Sequence, residues 1–158
     1  MFAQRDVARS REGRAADPAP RRESGQGYIA DATLRAAIEQ HAVERAISHY
    51  KDYGATSIEE LGKPYDLKVV VGGVERHVEV KGSSGTGVES VQLTQGEVDH
   101  ANSYRPTDLF IVDGIIVRRE PGGGVTAVGG SVRLWADWAP AARSLRPTHL
   151  RYSLPLET

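Results

Sequence analysis

The sequence predicts a mixed α/β domain, with a central sheet of parallel and antiparallel strands and helices packed against it. Three observations predict this. A stripe of apolar residues recurs at helical spacing in the first third of the chain. Two alternating apolar and polar runs flank a Gly-Gly pair. A Thr-x-x-Glu helix start is followed by a strongly apolar strand. The expected order is α-β-β-β-α-β, with further strands toward the C-terminus.

The first helix is expected over Asp31–Tyr53. Leu34, Ile38, Ala42, Ala46 and Tyr50 recur every fourth residue, and Ala37 and Ile47 widen the stripe. Asp31 or Thr33 is placed to cap its start, and Gly54 to end it. A short strand over Thr56–Glu60 follows. "YDLKVVVGGVERHVEVK" then reads as a β-hairpin turning at Gly72-Gly73. "ESVQL" is expected as another strand. Thr94 and Glu97 have capping-box spacing at the start of the second helix. "DLFIVDGIIVRRE" supplies one or two strands bent at Gly114, and "PGGGVTAVGG" a flexible loop or hairpin tip. The end of the chain is read as a strand, a short helical or irregular segment, and a last strand near Arg151.

Composition narrows the function classes. A chain of 158 residues suits one core. Residues 1–27 are rich in Arg, Pro, Ser and Gly and are expected to form a disordered tail; residues 28–158 form the single domain. There are 20 Lys and Arg against 21 Asp and Glu, so any basic surface is local. The absence of cysteine excludes disulfides, thiolate metal sites and a cysteine nucleophile, and suits a cytoplasmic protein. No apolar run reaches the roughly 20 residues of a membrane helix.

Taken with a two-residue turn, the hairpin sets Val71 opposite Val74, Lys68 opposite His77 and Asp66 opposite Glu79. One face then collects Tyr65, Leu67, Val69 and Val71 with Val74, Val78 and Val80, and Arg76 as a misfit. The other collects Asp66 and Lys68 with Glu75, His77, Glu79 and Lys81. Opposed Cβ atoms lie about 4.5–5.5 Å apart, so the two carboxylates repel. A proton, Lys81 or a divalent cation is needed to neutralise them. The plain alternative is a wet strand face, on which screening makes such repulsion small.

Asp66 and the Glu79-Val80-Lys81 run, with twelve residues between the two acids, resemble the D…E-x-K signature of the PD-(D/E)xK nuclease superfamily. The flanking pattern "VEVKGSSG…VQLTQGEVDHANSYRPTDLFIVDG" resembles its protein NO VEIN C-terminal branch over about residues 29–118. The resemblance implies a restriction-endonuclease-like core and a metal-dependent DNA endonuclease acting in restriction or phage defence. It implies Mg²⁺, with Mn²⁺ as a substitute, held by Asp66, Glu79 and the Val80 carbonyl. It also implies an acid from the upstream helix, for which Glu44 is preferred over Glu39. Lys81 would orient the attacking water and face developing phosphate charge. DNA contacts are expected from Ser83 and Ser84 in the small-residue loop "GSSGTG", with its free N–H groups, from Gln92, with Gln95 as a competitor, and from Arg143 and Arg146.

Other features have two explanations each. Glu97 is assigned to capping, and His77 to the surface. Trp135 and Trp138 either cover the sheet or join Arg143, Arg146, His149 and Arg151 in gripping nucleic acid. No P-loop, zinc finger or helix-turn-helix motif is visible, so the chain is expected either to work with a partner helicase, ATPase or target-reading subunit or to bind DNA with little sequence preference through the sheet face and tails; double-strand cleavage would favour a homodimer. The competing expectation is a catalytically silent nucleic-acid-binding or assembly module on the same fold.

Overall fold

The computed structural model describes the backbone of residues 25–153 and the side chains from residue 32 onward. Helix α1 spans Gly25–Asp52, strand β1 Ala55–Glu60, β2 Leu67–Val71, β3 Val74–Gly82, helix α2 Gln95–Ser103, β4 Thr107–Arg119 and β5 Val125–Trp135, followed by a 3₁₀ turn at Ala142–Ser144. The strands form one sheet in the order β1-β2-β3-β4-β5. All neighbours are antiparallel except β3 and β4, which run parallel and are joined through α2.

The hairpin has the register expected of its turn. Val71 lies opposite Val74, and Lys68 opposite His77. Gly72 and Gly73 have φ of 59° and 79°, the left-handed pair that a type I′ turn requires and glycine adopts freely. Because the side-chain period is two, this turn fixes the face of every hairpin residue. Leu67, Val69, Val78 and Val80 pack with Ala42, Ala46 and Tyr50 of α1 and with Phe110 and Val112 of β4. The small alanines let α1 lie close to the sheet. A Cβ built on Gly82 would stand 2.8 Å from the Ile38 carbonyl oxygen, so the end of β3 touches the helix backbone itself.

Arg76, the misfit of the apolar face, has a partner there. It holds the buried Asp108 of β4 through two hydrogen bonds of 2.8 and 2.6 Å, and the Tyr50 hydroxyl donates to the same carboxylate at 2.7 Å. The Asp137 N–H adds a fourth bond at 2.8 Å. Burial alone would raise the Asp108 pKa, but these donors outweigh it and hold the carboxyl below its ordinary range.

Five expectations need correction. Only the start of "PGGGVTAVGG" is a hairpin tip: from Val125 onward it is β5, paired with β4 from Arg119 back toward Ile115. Helix α1 begins at Gly25, ahead of the Asp31 or Thr33 start, because extending a formed helix is easy once nucleation has been met. Of the expected tail, residues 1–24 lie outside the described residues, and residues 25–27 belong to α1. "ESVQL" is not a strand: it runs as irregular chain up to the Thr94 cap, and the residue just before it, Val88, is held by side chains, its N–H donating to Asp113 at 3.2 Å and its carbonyl accepting from Arg133 at 2.7 Å. The described residues near Arg151 form no strand.

Replacing Arg76 by Met should strip the main donor from a buried carboxylate. We expect a loss of about 3 kcal/mol in urea unfolding at neutral pH; a loss below about 1 kcal/mol would show that Tyr50 and the Asp137 N–H suffice.

Candidate active site

The polar face of the hairpin is covered at His77 and Glu79, while Glu75 stays exposed. Helix α2 packs over it, and His77 and Glu79 are only 5% and 4% exposed. The Thr94 hydroxyl accepts from the Glu97 N–H, while the Glu97 carboxylate accepts from the Thr94 N–H at 2.8 Å. This capping box starts α2 and fixes the Glu97 side chain at the same time.

At the end of β3 three carboxyls meet one ammonium. Lys81 Nζ lies 2.8 Å from Glu79 Oε1 and 3.0 Å from Glu97 Oε2. Asp66 stands beside them, with Oδ2 accepting from the Val80 N–H at 2.7 Å. The charges are out of balance in a buried place. Burial raises the Asp66 pKa more than Val80 and Lys81 lower it. Burial likewise pushes Glu79 up to about 8; Lys81 opposes this, while the charges of Asp66 and Glu97 reinforce it. Burial would lower Lys81, but its bonds to Glu79 and Glu97 hold it above the usual lysine range. Burial also works to raise Glu97, yet the Thr94 N–H and Lys81 keep it low.

The expected site residues therefore separate. Asp66, Glu79 and Lys81 come together, and Val80 joins them through its N–H. Glu44 does not join them: it is exposed and accepts from Gln40 at 3.2 Å. Ala42 faces Gly82, and two residues of helix turn the chain by about 200°, which directs Glu44 away from the sheet. Glu39, the competing acid, is exposed and lines a separate cavity with Gly82 and Ser83. Glu97 is the residue the sequence reading left to capping alone. Its capping role accounted for its position completely, so the local pattern gave no sign of the second bond to Lys81.

The loop after β3 is pinned to β4. Ser83 N–H donates to Val112 O at 2.9 Å, Gly85 N–H to Ser83 Oγ at 3.0 Å, and Ile115 N–H to Ser83 O at 3.0 Å. Two N–H groups expected to be free, those of Ser83 and Gly85, are thus occupied, while Ser84 is exposed. Gln92, Gln95 and Arg146 line a cavity with Lys81 and Glu97. Arg143 is exposed and gives its carbonyl to Arg146 at 2.7 Å. Trp135 is 43% exposed, and Arg133 sits 5.6 Å above its ring.

His77 and Tyr65 were expected elsewhere. Tyr65 precedes β2, where strand alternation does not apply, and it stacks on His77 at 3.8 Å across the polar face. Tyr104 stacks on His77 at 3.5 Å, and His77 Nδ1 meets His100 Nε2 at 2.8 Å. This ring stack clamps α2 to β3, one turn from Glu97.

The cluster suits a hard divalent cation in its donor chemistry. The half-buried Asp66 and the buried Glu79 offer carboxylate oxygens with more negative charge than Lys81 offsets. Among the described residues no three acids and histidines form a ready-made cage. Mg²⁺ needs only one or two carboxylates beside waters and substrate oxygens, which this pair can supply.

A five-stranded mixed sheet with two helices fits a restriction-endonuclease-like α/β core. The family model described as protein NO VEIN, C-terminal, matches residues 38–117, about half of the chain, and the chain belongs to that family. No curated protein and no solved structure matches it. Among the described residues no helix is long and apolar enough to cross a membrane.

The Glu79 shift gives a pH test on the metal-free chain. A carboxyl raised in the fold binds its proton longer than in the unfolded chain, so its contribution is full below the ordinary value of 4.5 and is lost as pH rises toward about 8. Melting temperature should fall across that window, and Glu79→Gln should flatten the fall. An unchanged slope in the variant would place the titration elsewhere.

Proposed function

We propose that this chain is a metal-dependent endonuclease that hydrolyses DNA phosphodiester bonds, as an effector in restriction or phage defence in the cytoplasm. One observation carries the reading: Asp66, Glu79 and Lys81 converge in a buried site holding more carboxylate than ammonium, in a chain of a nuclease-like family.

Asp66 and Glu79 would hold Mg²⁺ or Mn²⁺, which when bound polarises a phosphate and lowers the pKa of a water. The Val80 N–H fixes the Asp66 carboxylate in place. Lys81, gripped by Glu79 and Glu97, is aimed and kept protonated. It can therefore stabilise charge building on the phosphate without proton transfer. Glu97 acts as a positioning residue, rigid because the same oxygen caps α2. Double-strand scission would need a second copy or a partner subunit, since one such site cuts one strand per event.

Nicking of supercoiled plasmid with Mg²⁺ tests this. Asp66→Ala, Glu79→Ala and Lys81→Ala should each slow nicking by about 10²-fold or more. Glu97→Ala should slow it by about tenfold, and Glu44→Ala should change it less than about twofold. Nicking that survives both Glu79→Ala and Lys81→Ala removes the mechanism. Binding of DNA without nicking by the unaltered chain would instead favour a silent nucleic-acid-binding module.

A further inference from the structure

The cavity onto which Lys81 and Glu97 open, about 620 Å³, has walls of two kinds. One kind is held in place. Glu97 belongs to α2, which the Thr94 cap starts and the 2.8 Å contact between His77 and His100 ties to β3. Gln92 and Leu93 belong to a short run held at both ends, by the side chains that bond Val88 and by the Thr94 cap. The other wall is residues 145–150. Among the described residues, every hydrogen bond of the segment 141–150 stays within it. Ser144 N–H donates to Ala141 O at 2.9 Å and Leu145 N–H to Ala142 O at 3.2 Å. Arg146 Nη1 donates to the Arg143 and Leu145 carbonyls at 2.7 and 2.9 Å, and Thr148 bonds His149 at 3.1 Å. Among the described residues, no ion pair ties Arg143 or Arg146 to the body. Of residues 141–150, Leu145 alone is not exposed.

This loosely held wall starts at a firm anchor. Trp138 N–H donates to the carbonyl of the buried Thr107 at 2.6 Å, and Asp137 N–H to Asp108 Oδ1 at 2.8 Å. Arg105 Nε pairs with Asp137 Oδ1 at 2.8 Å. Asp137 itself has φ of 50°, a left-handed conformation that Asp tolerates better than most side chains. The chain therefore leaves β5 through a pinned turn and then runs past the cavity with no further bond to the sheet or to α2.

We infer that residues 139–150 form a strap, hinged just after Trp138, that swings clear of the Lys81–Glu97 cavity to admit the substrate and returns over it. The inference rests on the nuclease reading for the identity of the substrate, a phosphodiester chain, but the hinge and the strap do not depend on it. Elements that move over active sites come from the parts of a fold with few buried apolar groups and few bonds to the body. Of the walls of this cavity, the strap is that part. A polymer continues past the bond to be cut on both sides, so a fixed wall beside Lys81 and Glu97 would obstruct it. A wall docked through Leu145 alone can be displaced at small cost.

The test uses the full chain, which has no cysteine of its own. Gln95→Cys/Thr148→Cys puts one thiol on each wall of the cavity, and a flexible bis-maleimide joins them. The same protein before crosslinking is the reference. Crosslinking should slow nicking of supercoiled plasmid with Mg²⁺ by at least about tenfold. It should slow association of a short fluorescein-labelled duplex, followed by anisotropy with Ca²⁺ in place of Mg²⁺, by a similar factor. Trypsin should cut after Arg143 well before Arg76 or Lys81 of β3, and crosslinking should protect the Arg143 site. Each single-cysteine variant carrying the same reagent should behave as its unmodified form. An Arg143 site that survives as long as those of β3 overturns the inference. So does a singly labelled variant that loses as much as the crosslinked one, because bulk and not tethering would then be the cause. Slowed duplex association with no nicking by any form sinks the nuclease reading and leaves the strap. Nicking and association untouched by the crosslink sink the strap and leave the nuclease.

Discussion

One half-buried ammonium, bonded to two carboxyls with a third beside it, is the constraint on which the rest of this site depends. Lys81 bridges Glu79 from its own strand and Glu97 from α2, and Asp66 presses in from the facing strand. Two like charges taken from water next to each other are unfavourable, and one cation cannot neutralise three anions. The fold meets part of the imbalance by keeping a proton on Glu79 and part by giving Glu97 the Thr94 N–H. What is left is a demand for positive charge at one strand end, and that demand is what makes the site chemically useful.

The surrounding structure serves that arrangement. The Gly72-Gly73 turn sets the hairpin register that brings Asp66 to Glu79. Gly82 allows β3 to end against the α1 backbone. The His77, Tyr65, Tyr104 and His100 stack holds α2 over the strand. Far from the acids, the Arg76–Asp108 pair locks β3 to β4 beneath Tyr50. A site that stores unfavourable charge needs such a frame, because otherwise the side chains would relax into solvent.

Much of this was legible in the sequence where short-range rules govern. The two-residue turn, the capping box and the burial of Leu67, Val69, Val78 and Val80 follow from spacing alone. Errors gathered where partners come from far along the chain. Glu44 looked like a core-edge acid on a helical wheel, but its direction depends on which helix stripe meets Gly82. "ESVQL" alternates like a strand, yet it lies between Val88, whose backbone Asp113 and Arg133 hold, and the Thr94 cap, and it joins no strand of the sheet. Tyr65 was put on the wrong face because its segment precedes β2.

The sequence by itself determined the class of fold and the hairpin pairing from Leu67 to Val78, because a tight turn and a period of two fix both, and its D…E-x-K pattern pointed to Asp66, Glu79 and Lys81. Only the tertiary structure decided that Glu97 joins them, that Glu44 points away, and that the segment 145–150 closes one side of a cavity. Those outcomes depend on how α1, α2 and the C-terminal segment dock on the sheet. Docking is set by summed burial over many residues, and no local pattern records it.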